Sequence, residues 1–301
     1  MPDHTDDPVI RQLSAWGQAH EAVRALLLTS TRARPHALLD PFSDYDVIVA
    51  VRDVQPFFAD RRWLATFGEV LALYRDPIKR IAGYERFAYI TQYAHDHLKI
   101  DFTILQADLL RHAGDAPELR DELDAGYRVL LDKDHLTDAL PPPTYGAYLP
   151  TPPTQAEYLE LVEVFLHEAT YVAKNLWRDE LLPAKYSFDH VMKGKLLRQM
   201  LEWRVGTAHD WQVRPGVLGK GLKERTPPDV WGALEGTYVG ADEGENWQAL
   251  FDLMALFMRV GTDVGAALDY AYPHEQHARM VAYLRDVQQL GRQRGDWGVT
   301  R

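Results

Sequence analysis

The chain has 301 residues, of which 46% are hydrophobic and 26% charged, the composition of an ordinary globular protein with room for two domains. Its net charge of −11 is shared by both halves, with 16 basic and 23 acidic residues in 1–150 and 17 against 21 in 151–301. Binding to a nucleic-acid backbone needs a cationic surface, so this balance argues against a nucleic-acid partner and suits a cationic small substrate. The absence of cysteine excludes disulfides, zinc–thiolate sites and cysteine nucleophiles.

The sequence also lacks the patterns of targeting and membrane segments. No basic and apolar leader opens the chain, and no apolar run approaches the ~18 residues that a membrane span needs. We therefore expect a cytoplasmic protein without a membrane partner, and we expect it to be a monomer.

The first predicted elements are a helix and a strand that ends in a hydroxyl-rich turn. Apolar residues at helical spacing predict an amphipathic helix over 8–20, and the apolar run from Val23 to Leu28 predicts a buried strand. The segment Thr29-Ser30-Thr31-Arg32 follows directly. Hydroxyl groups and free backbone N–H groups after a strand can hold phosphate oxygens, although such turns are also common without a ligand.

The central feature of the sequence is an Asp-Tyr-Asp segment at the start of a second strand. The β-branched run from Val47 to Val51 predicts a buried strand, and Asp44 and Asp46 stand at its entrance. Alternate side chains of a strand share a face, so the two carboxylates are expected on one side, roughly 7 Å apart. A hard divalent cation such as Mg²⁺ would relieve their repulsion, whereas the common alternative is a turn with solvated caps.

A third carboxylate lies in a later strand. Four elements are predicted before and around it: a helix over 63–67 and strands over 70–74, 87–93 and 98–105, the last two forming a hairpin. Asp101 interrupts the apolar pattern of the final strand, which indicates a paired acid, a metal-bound acid or a solvated face. Residues 107–138 carry many charges and are predicted to form helices and turns on the outside of the domain.

A proline-rich segment separates two predicted domains. Six of the 13 residues from Pro141 to Pro153 are proline, which excludes a regular helix and a central strand. We therefore assign residues 1–140 to one domain, 141–153 to a linker and 154–301 to a second domain.

The second domain is predicted to be a helical bundle. Thr154 and Glu157 have the spacing of a capping box, and an apolar stripe with helical period runs from Tyr158 to Leu176. Further helices are predicted over 190–205, 246–270 and 275–290, and the tail over 291–301 is predicted to fray. The expected fold class is α+β, with an N-terminal mixed β-sheet and flanking helices followed by an all-α bundle.

Two pairs of histidines have the spacing of metal-ligand pairs. They are His95 with His97 and His274 with His277. No third ligand lies near either pair in the sequence, so we expect all four side chains at the surface.

Six stretches of the chain follow one another in a recognisable order: Leu27–Arg32, Ser43–Asp46, Leu98–Thr103, Leu130–Asp134, Tyr171–Glu180 and Leu196–Arg198. In this order they resemble the aminoglycoside 6-adenylyltransferases, or streptomycin adenylyltransferases, of the nucleotidyltransferase superfamily. The three acids alone mark only the superfamily. The ordered set covers nearly the whole chain and is more specific.

The resemblance implies an activity and a metal. It implies transfer of AMP from ATP to a hydroxyl of an aminoglycoside or aminocyclitol antibiotic, with Mg²⁺ and release of pyrophosphate. It assigns Asp44, Asp46 and Asp101 to the metal and to catalysis, with Asp101 either completing the metal site or accepting the hydroxyl proton.

The same resemblance implies contacts with the two substrates. Ser30, Thr31 and Arg32 are expected to contact phosphates, and Lys174 in the helical domain is expected to contact the triphosphate. Glu163 and Glu168 are the candidates, from position alone, for binding a cationic antibiotic. They also compete with Asp101 for the role of general base.

One position departs from the family pattern. Ser30 falls where the family usually has glycine, and Thr31 falls on its serine. A side chain at the glycine position could hinder close approach of the backbone to phosphates. This departure leaves open a non-catalytic nucleotide- or drug-binding protein on the same scaffold. A separate alternative is an adenylyltransferase for another small molecule such as a lincosamide.

Overall fold

A computed structural model describes residues 7–35 and 37–290 of the chain. The chain divides into two compact units between Tyr148 and Leu149, inside the proline-rich segment. The predicted fraying tail at 291–301 lies outside the described residues. In the described part of the chain, every helix is too short or too polar to cross a bilayer.

The first unit is built on a seven-stranded mixed sheet. The strands are β1 (Val23–Thr29), β2 (Tyr45–Val51), β3 (Val70–Arg75), β4 (Lys79–Ile81), β5 (Tyr84–Tyr93), β6 (Lys99–Gln106) and β7 (Tyr127–Asp132). Their order in the sheet is β3-β5-β6-β2-β1-β7, with β4 paired to β5. Among the strand pairs of the described residues, β2 and β6 run parallel and the others antiparallel.

Strand β2 carries a continuous apolar run, Val47 to Val51, because both of its faces are buried. Along β2, Val47 and Val49 pack into one apolar cluster, whereas Ile48 and Ala50 pack into a second cluster. A strand covered on both sides has no polar face, so it loses the usual alternation of apolar and polar residues. The predicted strands over 23–28 and 47–51 and the predicted hairpin are confirmed.

Helices cover the sheet of the first unit. They are α1 (Pro8–Ala19), α2 (Gln55–Ala59), α3 (Asp108–Arg111) and α4 (Pro117–Asp124), with 3-10 turns at Ser30–Ala33, Arg62–Phe67 and Ala113–Asp115. Asp7 caps α1, because its Oδ1 accepts hydrogen bonds from the N–H groups of Val9 at 2.9 Å and Ile10 at 3.3 Å. The opening helix predicted over 8–20 is thus confirmed.

Strand β7 corrects the prediction of helices and turns throughout 107–138. Its residues pair antiparallel with β1 at the edge of the sheet, from Tyr127 opposite Thr29 to Asp132 opposite Ala25. Most of its side chains are half-buried and Val129 is exposed. An edge strand with no deeply buried face lacks clear apolar alternation, which is why the pattern failed to reveal it.

The second unit is helical. Its elements are α5 (Gln155–Trp177), α6 (Leu181–Lys185), a π-helical stretch (Tyr186–Leu197), α7 (Arg198–Ala208), α8 (Leu222–Arg225), α9 (Pro228–Gly236), α10 (Glu243–Leu268) and α11 (His274–Gln289), with a 3-10 turn at Val217–Gly219. The predicted capping box is present, since Thr154 N–H donates to Glu157 Oε2 at 2.7 Å and Glu157 N–H donates to Thr154 Oγ1 at 3.3 Å. The α+β class is confirmed: a mixed sheet with flanking helices, then an all-helical unit.

The apolar stripe of α5 forms much of the core of the helical unit. Tyr158, Phe165, Val172 and Leu176 are buried together with residues of α7 and α10. Phe165 stacks on Phe257 of α10 with 3.6 Å between ring centroids. The helices predicted over 246–270 and 275–290 are confirmed as α10 and α11, whereas the region predicted as helix from 190 begins as the π-helical stretch.

His277 is a correction to the expected surface histidines. Its side chain is only 3% exposed, and its Nδ1 lies 2.8 Å from the hydroxyl of buried Tyr272. Burial and nearby His274 lower the pKa of His277 to about 4. His95, His97 and His274 are exposed, as predicted.

The depressed pKa of His277 predicts that the protein loses stability in mild acid. The pKa of a histidine in an unfolded chain is near 6.5, so below that pH the unfolded chain binds a proton that folded His277 does not bind. The contribution of neutral His277 to the free energy of unfolding is complete above pH 6.5. It is lost as pH falls through 6.5 toward 4, and about 2 kcal/mol is lost at pH 5. Urea unfolding at pH 7.5 and 5.0 measures it.

The matched control is His209, an exposed histidine of the same unit. We expect His277→Gln to reduce the fall in unfolding free energy between the two pH values, and His209→Gln to leave that fall as in the wild type. An undiminished fall in His277→Gln would contradict the assignment.

Candidate active site

The parallel pairing of β2 with β6 brings the three predicted acids together. Asp46 and Asp101 are direct partners in the ladder, at the amino-terminal ends of the two strands. Neighbouring strands are ~4.8 Å apart, so these carboxylates are adjacent if they share a face. Asp44 lies two residues before Asp46 and therefore on the same side. Mutual electrostatic effects on the pKa values connect Asp46 with Asp44 and Asp101.

Lys99 is a member of this cluster that the sequence analysis missed. Its Nζ lies 2.5 Å from Asp44 Oδ2 and 3.0 Å from Asp101 Oδ2, so one ammonium bridges two of the three acids. Lys99 precedes Asp101 by two residues, which places both side chains on one face of β6. That spacing was a signal for the shared face with Asp101, whereas the contact with Asp44 depends on the pairing of β6 with β2.

The cluster is strongly perturbed electrostatically. Burial raises the pKa of Asp46 to about 6, with nearby Asp101 and Asp44 adding to the rise and a hydrogen bond from the Ser30 side chain opposing it. Burial also raises the pKa of Asp101, although Lys99 pulls it downward. Burial lowers the pKa of Lys99, but its bonds to Asp44 and Asp101 outweigh this and the net shift is upward.

The donor set fits a hard divalent cation, but Lys99 already occupies part of it. Asp101 Oδ1 is buried and has no hydrogen-bond partner, and Asp46 beside it has a raised pKa. Both features are relieved by a cation bound through oxygen ligands. Within residues 7–35 and 37–290, no three carboxylate or imidazole side chains are arranged to hold one ion together. A metal shared by all three acids therefore requires the lysine ammonium to move.

Ser30 occupies a backbone conformation that glycine favours. The φ angle of Ser30 is 59°, in the left-handed region, at the point where β1 turns into the 3-10 segment. This conformation costs a non-glycine residue about 1–2 kcal/mol. The Ser30 side chain forms a hydrogen bond with the Asp46 carboxylate, which offsets part of this cost. Thr29 Oγ1 donates a hydrogen bond to Asp46 O at 3.4 Å. The turn thus contacts the carboxylate strand directly.

Arg32 contacts several protein groups at the entrance of β2. Its Nε lies 3.2 Å from Ser43 O and 3.1 Å from Asp44 O, and its Nη2 donates to Ser43 O at 2.9 Å. The guanidinium also stacks 3.7 Å from the centroid of the Tyr45 ring and lies 3.7 Å from Asp7 Oδ2. These contacts hold the guanidinium at the entrance of β2. The hydroxyl of its neighbour Thr31 accepts from Arg34 Nη2 at 3.4 Å.

Comparison with known proteins identifies the family. The family model described as streptomycin adenylyltransferase matches residues 4–287. The chain belongs to the streptomycin adenylyltransferase family. It is accordingly an enzyme of the nucleotidyltransferase class.

Two relatives matched by sequence agree with this assignment. An aminoglycoside 6-adenylyltransferase of Campylobacter jejuni is 30% identical over 260 residues, which cover 86% of this chain and 87% of the relative. One of Bacillus subtilis (strain 168) is 29% identical over 84% of this chain and 87% of its own length. A crystal structure of an aminoglycoside 6-adenyltransferase from Bacillus subtilis aligns at 23% identity with a TM-score of 0.47, covering 96% of this chain and 100% of the other.

The remaining predicted residues of this streptomycin adenylyltransferase family member lie on α5 of the helical unit. Glu163 is exposed, whereas Glu168 and Lys174 are half-buried. Lys174 Nζ lies 4.4 Å from the centroid of the Tyr171 ring, and Tyr171 in turn contacts the His167 ring edge-on. Glu163, His167, Tyr171 and Lys174 recur at helical spacing, so they form one polar stripe along α5.

The conformation of Ser30 predicts a difference between two substitutions. Ser30→Ala loses the hydroxyl and keeps the backbone strain, whereas Ser30→Gly loses the hydroxyl and relieves it. We therefore expect the glycine variant to be more stable than the alanine variant by about 1 kcal/mol. Urea unfolding of the metal-free proteins measures this. Because both variants lack the hydroxyl, equal stability of the two would show that the residue is not strained.

Arg32 can be tested as a positioning residue by a charge-conserving change. Arg32→Lys removes the fork that contacts the carbonyls of Ser43 and Asp44, so the metal-free protein should lose about 1–2 kcal/mol of unfolding free energy. Arg80→Lys, whose side chain is 73% exposed in the wild type, is the control and should change little. Unchanged stability in Arg32→Lys, with weakened nucleotide binding, would instead favour a phosphate contact.

Proposed function

We propose that this enzyme transfers AMP from ATP to a hydroxyl of a streptomycin-like aminocyclitol antibiotic and releases pyrophosphate. Two observations support the proposal together. The family match spans nearly the whole chain, and the relatives it resembles are named aminoglycoside 6-adenylyltransferases. The observation that carries the proposal is the meeting of Asp44, Asp46 and Asp101 at the ends of two parallel strands.

Mg²⁺ is the proposed metal, and these three carboxylates are its proposed ligands. When bound, the ion would neutralise triphosphate charge and polarise the α-phosphorus. The unpartnered Asp101 Oδ1 and the raised pKa of Asp46 support a cation at this place.

The transfer requires one bond to form and one to break. The antibiotic hydroxyl oxygen bonds to the α-phosphorus of ATP, the bond from that phosphorus to the oxygen that bridges it to the β-phosphorus breaks, and pyrophosphate leaves. The hydroxyl proton passes to a carboxylate, for which Asp101, Glu163 and Glu168 are the candidates. An unpartnered oxygen on a carboxylate with a raised pKa supports Asp101 in this role.

The other residues are assigned to binding. We propose that Ser30 and Thr31 contact phosphates through hydroxyl or backbone groups and that Lys174 contacts the triphosphate. Glu163 and Glu168 are proposed to bind the cationic groups of the antibiotic. Arg32 is also proposed as a phosphate contact, beside its bonds to the carbonyls of Ser43 and Asp44 at the entrance of β2.

The non-catalytic alternative rested on the serine at the family's glycine position. Ser30 adopts the left-handed conformation suited to glycine, so the backbone of the turn has the conformation expected with glycine at this position. This supports the catalytic proposal. The net charge of −11 supports a cationic small substrate rather than nucleic acid, and ATP as donor supports a cytoplasmic location. We further propose that the protein is a monomer.

Activity on a panel of antibiotics tests the reaction and its substrate. Purified protein with ATP and Mg²⁺ is incubated separately with streptomycin, with another aminocyclitol antibiotic and with a lincosamide. We expect stoichiometric pyrophosphate and an AMP adduct, detected by mass spectrometry, with streptomycin. An AMP adduct formed only with the lincosamide would favour the alternative of a lincosamide adenylyltransferase. The absence of an adduct with every drug of the panel would contradict adenylyl transfer to these drugs.

Asp46→Asn tests the metal assignment in the same assay. We expect kcat to fall by about 10²-fold or more, because a charge contact that stabilises the transition state is removed. The neutral amide mimics the protonated acid, whose stabilising contribution is lost as pH rises through about 6. The metal-free variant should therefore be at least as stable as the wild type at pH 7.5.

The control for this variant is Asp108→Asn, which removes a carboxylate that is 70% exposed in the same unit. It should leave the rate unchanged. A wild-type rate in Asp46→Asn would remove the metal assignment.

A further inference from the structure

Lys99 joins two carboxylates that the proposed metal would also need. Its Nζ is within hydrogen-bond distance of Oδ2 of both Asp44 and Asp101. The β2–β6 register pairs Tyr45 with Ile100, so one residue earlier the same register sets Lys99 opposite Asp44. The contact is thus built into the sheet, since the strand pairing itself delivers the lysine to the acids.

The ammonium satisfies only part of the cluster. Asp101 uses Oδ2 for Lys99, whereas its Oδ1 is buried and unpartnered. Asp46 receives only a weak electrostatic effect from the lysine and keeps a raised pKa. The single charge of Lys99 therefore neutralises the three acids only in part. The oxygens of Asp46 and Oδ1 of Asp101 are the least neutralised.

The lysine side chain is suited to leave this position. It is 29% exposed, and its charge stands on a flexible four-carbon stem. A divalent cation bound to Asp46 and Asp101 would lie next to the ammonium, and the two positive charges would repel each other. Metal binding and the Lys99 bridge therefore oppose each other.

We infer that Lys99 is the resident counter-ion of the acid cluster. It positions Asp44 and Asp101 in the metal-free enzyme and is displaced when the metal binds. Because the metal must displace it, Lys99 weakens metal binding by the nucleotide-free protein. This inference rests on the metal site of the proposed function. Once displaced, the ammonium lies beside the metal site, where it can neutralise a phosphate of the incoming nucleotide. Lys99 is a positioning residue in this role and requires no change in its protonation.

The test is binding of Mn²⁺, a paramagnetic substitute for Mg²⁺, to the nucleotide-free protein. Electron paramagnetic resonance measures free Mn²⁺, and the Mn²⁺-induced rise in melting temperature gives a second readout. Lys99→Met removes the charge and keeps the length of the side chain. We expect it to tighten Mn²⁺ binding by about 10-fold and to lower the melting temperature of the metal-free protein at pH 7.5.

Three further variants make the result specific. Lys99→Arg keeps the charge and should stay close to wild type in Mn²⁺ affinity. Lys79→Met removes an exposed lysine from β4 and should change neither readout. The double variant Lys99→Met with Asp46→Asn should lose the gain in affinity, which would place the bound Mn²⁺ at the acid cluster.

Unchanged or weaker Mn²⁺ binding by Lys99→Met would overturn the inference, and so would equal tightening in Lys99→Arg. These measurements need neither nucleotide nor antibiotic. An active wild type with unaltered Mn²⁺ affinity in Lys99→Met overturns the inference alone, whereas failure of the antibiotic panel overturns the proposed reaction alone.

Discussion

The parallel pairing of β2 with β6 brings together the carboxylates of the proposed active site. Residues 55 positions apart, Asp46 and Asp101, become direct neighbours because the two strands run in the same direction and in this register. A shift of one residue would turn Asp101 to the opposite face of the sheet. The apolar residues that follow the acids, buried on both faces of the sheet, oppose such a shift. Packing of the core therefore fixes the spacing of the carboxylates.

The cost of this arrangement is electrostatic. Three acids gathered at partly buried strand ends repel one another and lose solvation, which is seen in the raised pKa of Asp46. A single lysine offsets part of the repulsion by bridging Asp44 and Asp101. A cluster left short of positive charge has an intrinsic affinity for a further cation. The same shortage that destabilises the metal-free cluster thus supports the proposed divalent ion.

The sequence was sufficient where one local pattern decided the structure. The run from Val47 to Val51 predicted a buried strand, and the acids at its start followed from strand geometry. The role of Lys99 depends on which strands pair, and His277 is buried by Tyr272 through tertiary packing, so neither could be predicted from spacing alone. Strand β7 was missed because an edge strand with half-buried side chains has no distinct period.

The turn after β1 contacts the strand that carries the acids. Arg32, the cation beside this hydroxyl-rich turn, donates to the carbonyls of Ser43 and Asp44. Ser30, where a side chain could hinder the approach of the backbone to phosphates, takes up the left-handed conformation and bonds Asp46. Both side chains hold the strand that carries the acids. Serine at the family's glycine position therefore costs backbone strain but supplies a hydrogen-bond donor to Asp46. Serine at this position is thus compatible with an intact carboxylate site.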